Sequence, residues 1–196
     1  RRPISAEAAI MNPNTKVIAL RAQNGTYLQL FNIEMKSRMK SYQLKPHEGQ
    51  ISFWRWISPG SVALVSGTSV YHWTSEPDKD PVKMFDRHEN LANTQVISYV
   101  CSEDAKWVCL AGIKQATDGS QRLDGAMQLY STERKVSQPL EGHAAVFAQL
   151  TLPGATEEST LFCFAQKNAM GGKINVIEVG DKKQPQAERA YKRQAD

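Results

Sequence analysis

Among the residues that could do chemistry, a row of cations stands out first. The segment Leu28 to Lys40, LQLFNIEMKSRMK, begins by alternating like a strand and ends with Lys36, Arg38 and Lys40 on every second position. In an extended chain that spacing puts three cations on one side, with Met35, Ser37 and Met39 on the other. Such an edge suits a partner that is extended, apolar and acidic. Gln29 and Phe31 are expected on one face of the preceding strand, Gln29 to hydrogen-bond a peptide backbone and Phe31 to floor an apolar pocket. A second alternation, Arg134, Val136, Gln138 and Leu140, reads cation, apolar, amide, apolar and suits the same kind of partner. Its plainer reading is an edge strand ended by Pro139.

Catalytic and metal-binding patterns are not found. His47, His72, His88 and His143 are scattered, none with a histidine four residues away, and no two cysteines have CxxC spacing. Asp86-Arg87-His88 comes with no nucleophile turn and is read as a salt-bridged corner. GSVALVSGTS has the glycines of a phosphate loop without the Gly-Lys-Ser/Thr ending. No enzyme activity, metal or cofactor is therefore expected. Cys101, Cys109 and Cys163 sit in apolar runs such as WVCLAG and LFCFA, which predicts reduced, buried thiols in a cytosolic protein. A net charge of +4 is mild, and basic and aromatic residues do not interleave, so nucleic acid is not an expected partner. No apolar run approaches the roughly 20 residues of a membrane span, and no signal-peptide pattern opens the chain.

The elements that must position these residues are strands. Short runs rich in Val, Leu, Ile, Phe, Trp and Tyr are punctuated by Gly, Pro, Asn and Ser, and helical periodicity is scarce. The pattern repeats. Strands closing at Phe31, Trp73, Tyr130 and Ile177 each follow a glycine turn and an apolar strand: KVIAL, SVALV, KWVCLAG and TLFCFA. Still earlier come SFWRW, QVISY and VFAQL, and a more polar strand follows in KSYQL, PVKMF and KVSQPL. The unit is four strands in roughly 40 to 55 residues, the period of a β-propeller blade. Blades stacked face to face bury sheets that would otherwise leave two apolar faces wet. Trp54, Trp56, Trp73 and Trp107 are assigned to blade core. The prediction is an all-β chain of about four four-stranded blades, with a sandwich or barrel as the alternative.

Several strings go further. RRPISAEAAIMNPNTKVIAL, LFNIEMKSRMK, FWRWIS, PVKMFDRH, AMQLYSTERKVSQPLEGHAA and ESTLFCFA resemble the terminal domain of the clathrin heavy-chain family, from Arg1 to about Gly180. The resemblance implies part of a seven-bladed propeller over residues 1–180. It also implies a polar segment, 181–196, leading to the next blade. The implied role is a non-enzymatic coat domain on the cytoplasmic face of coated pits and vesicles, hooking short peptides of adaptor and accessory proteins. Implied partners are adaptor complexes, amphiphysin-like and arrestin-like proteins with Leu-rich acidic motifs. In the full-length protein, regions absent here would add the light chain and self-trimerisation; membranes would be met only through adaptors.

The resemblance also implies three peptide sites. A groove between the first two blades matches Arg2, Ile4, Ile18, Tyr27, Gln29, Phe31, Lys36 and Arg38. Here Tyr27 stands where the family has a smaller Thr, Arg38 replaces Lys, and the AQNGT turn is one residue longer. A second groove, between the fourth and fifth blades, matches Trp107, Leu129, Arg134, Val136, Gln138 and Leu140. A pocket at the top centre is matched in part by Gln95, Ile97 and Ile113. The alternative function is a generic WD-like repeat propeller acting as a rigid platform without edge grooves.

Overall fold

Fifteen strands and one short 3-10 turn, with no α-helix among the described residues, make up a computed structural model that describes residues 5–151, 156–168 and 170–180. They form four antiparallel sheets in which consecutive strands are neighbours. The chain divides into two compact units, Arg1–Arg87 and His88–Asp196.

The first unit holds two four-stranded sheets. One contains β1 (Ala8–Met11), β2 (Val17–Ala22), β3 (Tyr27–Asn32) and β4 (Ser37–Gln43). The other contains β5 (Ile51–Ser58), β6 (Ser61–Ser66), β7 (Ser69–Thr74) and β8 (Val82–Asp86). Strand β1 was not anticipated; its sequence, AAIM, is short and half alanine, so alternation gives little signal. The period-2 pattern of β3 buries Leu28 and Leu30 completely and leaves Tyr27, Gln29 and Phe31 partly exposed. Leu28, Leu30 and Tyr42 pack with Trp56, Val62, Leu64 and Trp73 of the second sheet.

Polar ties fix that packing. Asn12, 2% exposed, accepts from the Val17 amide at 3.0 Å and donates to Pro59 O at 2.9 Å. Trp56 Nε1 donates to Ile10 O at 3.1 Å. The turn between β2 and β3 meets the start of β5 at Gly25, whose φ is +80° and whose missing Cβ would lie 2.7 Å from Ile51 O. Only glycine meets both demands without strain.

The second unit opens with the 3-10 turn Glu89–Leu91. Its third sheet contains β9 (Gln95–Cys101), β10 (Trp107–Gln115), β11 (Leu123–Ser131) and β12 (Val136–Glu141). The fourth has, among the described residues, three strands rather than the expected four: β13 (Ala144–Thr151), β14 (Glu158–Asn168) and β15 (Gly171–Val179). Cys109, Met127 and Leu129 of the third sheet cluster with Phe162 and Phe164 of the fourth. Pro139 lies within β12 rather than ending it. An edge strand tolerates this, because a missing N–H can face away from the neighbouring strand.

Several expectations need adjusting. Trp56 and Trp73 are core residues, whereas Trp54 and Trp107 are half-buried at its border. Cys109 is buried, but Cys101 and Cys163 are only partly so; all three are free thiols. Burial pushes the Cys109 thiol up to about 12. The Asp86–His88 stretch is structural on every side. Asp86 pairs with Lys83 and accepts from Ser69 Oγ, both at 2.7 Å. Arg87 Nη1 donates to the carbonyls of Ser66 and Gly67. His88 Nδ1 accepts from the Asn90 amide, capping the 3-10 turn.

Burial also holds His72, on β7, neutral, lowering its pKa from 6.5 to about 4. Above pH 6.5 this costs nothing, since His72 is neutral whether folded or unfolded. Between pH 6.5 and about 4 the unfolded chain binds a proton that the folded chain refuses, so stability falls with pH. The loss expected from this one group is at most about 3 kcal/mol. Urea midpoints measured from pH 7.5 to 4 should carry this slope, and His72→Gln should remove it.

Candidate functional site

The first candidate site lies on the face of the first sheet turned away from the second. Alternation along β3 that buries Leu28 and Leu30 on one side must present Tyr27, Gln29 and Phe31 on the other. A cleft of about 550 Å³ is lined there by Tyr27, Gln29, Phe31 and Arg38, with Leu20 and Ala22 of β2 and Ser5, Ala6, Glu7 and Gln23. Ile18 is paired with Phe31 and is half-buried. The seam between the first and second sheets is filled by apolar core, so the cleft belongs to the outer face of one sheet. Arg2 and Ile4 lie outside the described residues.

The expected row of three cations is not a row. Pairing between β3 and β4 shifts between Leu30 and Phe31: Leu30 faces Lys40, Phe31 faces Arg38, and Met39 is extra. This β-bulge reverses the alternation, so Arg38 and Lys40 point to opposite faces. Lys36 lies before β4, in a turn, with φ +52°. Arg38 alone of the three lines the cleft.

Lys40 is built into the fold instead. Its ammonium donates to Glu76 O at 2.8 Å and Lys79 O at 2.7 Å, and lies 5.0 Å from the centre of the Trp73 ring. Burial lowers its pKa, and the carboxylates of Asp80, Glu76 and Asp78 oppose that shift. Lys40→Met is expected to cost about 1–3 kcal/mol in denaturant unfolding, from lost charged hydrogen bonds and the cation–π contact. Arg38→Met should cost far less, a contrast that alternation alone would not predict.

Around Tyr27 the cleft is polar. Its hydroxyl pKa is lowered chiefly by hydrogen bonding with Ser41, then Gln29, with the nearby Arg38 charge adding to the effect. Tyr27, Gln29, Ser41 and Arg38 thus form one hydrogen-bonding surface beside the Phe31 ring. Sequence reasoning missed Ser41, Ser5, Ala6, Glu7 and Gln23. The pairing of Gln29 with Ser41 across β3 and β4 brings Ser41 in, and that register depends on the bulge.

The second set gathers at the seam of the third and fourth sheets. Ser131 pairs with both Trp107 and Val136, Leu129 with Gln138, and Met127 with Leu140, which puts these residues on one face. Leu129 is 5% exposed and forms the floor, with Trp107 and Leu140 half-buried against the same cluster. Val136, 55% exposed, and Gln138 form the rim. Arg134 Nη2 donates to Gly180 O at 3.2 Å, past the end of β15, and so spans the seam.

The third set is looser. Gln95 pairs with Ile113, but the β9–β10 register shifts between Ala111 and Gly112, leaving Ile97 as the extra residue of a bulge. Ile97 is 38% exposed. Among the described residues, no three His, Cys, Asp or Glu side chains could hold a metal ion, and no helix is long and apolar enough to cross a membrane.

Comparison with known proteins bears on what these surfaces belong to. No family model matches the chain. Solved structures with similar folds include the tricorn protease, with a TM-score of 0.53 at 10% identity over 90% of this chain and 18% of that one. Another is the Cps50 (Swd1) β-propeller domain of Myceliophteria thermophila, with a TM-score of 0.50 at 11% identity over 89% of this chain and 54% of that one. At such identities the likeness establishes fold alone, and that fold is the β-propeller expected from the repeat. Sequence relatives are far closer. Clathrin heavy chain 2 of Homo sapiens is 55% identical over 180 residues, 92% of this chain and 10% of that protein. The Drosophila melanogaster clathrin heavy chain is 53% identical over the same shares. Clathrin heavy chain 1 of Arabidopsis thaliana is 48% identical over 100% of this chain and 12% of its own length. The chain therefore spans about a tenth of the length of the curated relatives it matches; over 92% to 100% of its own residues it is similar to clathrin heavy chains, and its fold is all-β and propeller-type.

Proposed function

We propose that this chain is a non-enzymatic coat-protein domain that holds short linear peptides of adaptor and accessory proteins, linking them to a clathrin coat on the cytoplasmic face of membranes. In this reading the domain runs over residues 1–180, and residues 181–196, which lie outside the described residues, are a polar segment leading to the next blade. The observation that carries this reading is the convergence of Tyr27, Gln29, Phe31 and Arg38 on one open cleft of about 550 Å³. An aromatic floor, an amide and a cation fit an extended peptide with large apolar side chains and a carboxylate. Ile18, Lys36, Arg2 and Ile4 belong to the same site in this reading.

The seam with Trp107, Leu129, Arg134, Val136, Gln138 and Leu140 is the second peptide groove. Gln95, Ile97 and Ile113 contribute to a third, partial pocket. Each contact is small, so each affinity is low, at micromolar or poorer. Several grooves per domain and many domains per coat raise the effective concentration and keep assembly reversible.

A Leu-rich peptide with one carboxylate tests the cleft directly, by calorimetry or fluorescence anisotropy. Arg38→Glu should weaken binding about threefold to tenfold at low salt, and the difference should shrink as salt screens it. A salt-independent affinity, equal in both chains, would rule out Arg38 as the carboxylate's partner.

A further inference from the structure

The same cleft carries a second charge, of opposite sign, that neither the spacing of its residues nor the proposed peptide accounts for. Glu7 lines one end of it. The Glu7 amide donates to Arg21 O at 2.8 Å, which sets Glu7 beside β2 just before β1. Its carboxylate is held from the other side, where the Asn24 amide donates to Glu7 Oε1 at 2.8 Å. That amide is available because Gln23 and Asn24 both adopt left-handed backbone, φ +53° and +56°, in the turn that ends in Gly25. The turn therefore fixes a carboxylate at the cleft's margin.

The register of the sheet sets how far that carboxylate is from the cation along the strands. Across the sheet Glu7, beside β1, and Arg38, on β4, are three strand spacings apart, about 14 Å, a gap for the Glu7 and Arg38 side chains and the ligand's own charged side chains to reach over. Ala8 pairs with Arg21, and Ala22 pairs with Tyr27, so Glu7 belongs to the Tyr27 end of the cleft. Arg38 pairs with Phe31 and belongs to the other end. Tyr27 and Phe31 are four residues apart on one strand, about 13 Å. An extended ligand lying along that strand spans the same distance with four of its own residues.

Resting on the peptide reading above, we propose that the cleft is bipolar and selects a zwitterionic peptide: a carboxylate at Arg38 and, four residues away, a cationic side chain at Glu7. Glu7 is thus a specificity-determining residue that favours one placement of the ligand over its reverse.

Three synthetic peptides test this against the chain and its Glu7→Gln variant. The parent is Leu-rich with one Glu; the other two carry Lys four residues before or four residues after that Glu. Gln still accepts from the Asn24 amide, so the turn is kept while the charge is removed. At least one Lys peptide should bind about threefold tighter than the parent at low ionic strength, as an exposed ion pair permits. That gain, read as the ratio of Lys-peptide to parent affinity in the same chain and buffer, should vanish in Glu7→Gln and in high salt. If neither Lys peptide gains, or the gain survives in Glu7→Gln, the bipolar cleft is overturned while the peptide site stands. If the parent itself does not bind, both are overturned.

Discussion

The double variant Gln29→Ala, Phe31→Ala is expected to lose measurable binding of a Leu-rich acidic peptide. Removing Phe31 takes the apolar floor from the cleft, worth about 1.5–3 kcal/mol if a ligand side chain buries it. Removing Gln29 takes a backbone-directed hydrogen bond worth about 0.5–1.5 kcal/mol. Together they weaken a micromolar complex by about 30-fold to 2000-fold, beyond the range of ordinary titration. Fold stability should change little, because both side chains point away from the core that Leu28 and Leu30 build. The check is peptide titration alongside urea unfolding of the same samples. Undiminished binding would move the peptide site elsewhere; loss of binding together with loss of fold would show that Phe31 is a core residue after all.

Trp73→Ala carries the largest expected effect on stability. Trp73 is 2% exposed and packs in the cluster shared by the two sheets of the first unit. Its ring also faces the Lys40 ammonium, which is held by the carbonyls of Glu76 and Lys79. Truncation removes the ring from the core and leaves a cavity, at a cost of about 3–5 kcal/mol. That is a large fraction of a typical domain's stability of about 5–15 kcal/mol. Denaturant unfolding followed by tryptophan fluorescence and far-UV circular dichroism should register a lower midpoint. Trp73→Phe should lose much less, since it keeps an aromatic face near Lys40. A loss below about 1 kcal/mol for the alanine variant would mean the cluster collapses around the gap.

Much of this architecture was legible in the amino acids. The apolar strands around Ala63 and Leu110 read as continuous hydrophobic runs because both their faces are covered, whereas around Phe162 only alternate residues are fully buried. The repeat of closing strands at Phe31, Trp73, Tyr130 and Ile177 corresponds to β3, β7, β11 and β15, the equivalent strands of four sheets. The pairing of Gln29 with Phe31 on one face followed from the period of an extended chain. Strand β1 was not legible, since Ala8 and Ala9 carry little hydrophobic contrast. Neither was the fate of Lys40, since a bulge is one residue of slippage and leaves no compositional mark.

By itself the sequence determined strand content, the repeat, the absence of a zinc or nucleophile motif, and the strings shared with its relatives. Those properties are local: they depend on which side chains alternate, where glycine interrupts them, and in what order. Tertiary structure alone decided which of three cations faces the cleft, that Glu7 shares it, and that Ser41 meets Tyr27. Each of those outcomes depends on register between strands that are distant in the chain. One inserted residue reverses every side chain beyond it, and only the partner strand's hydrogen bonds decide where that residue sits.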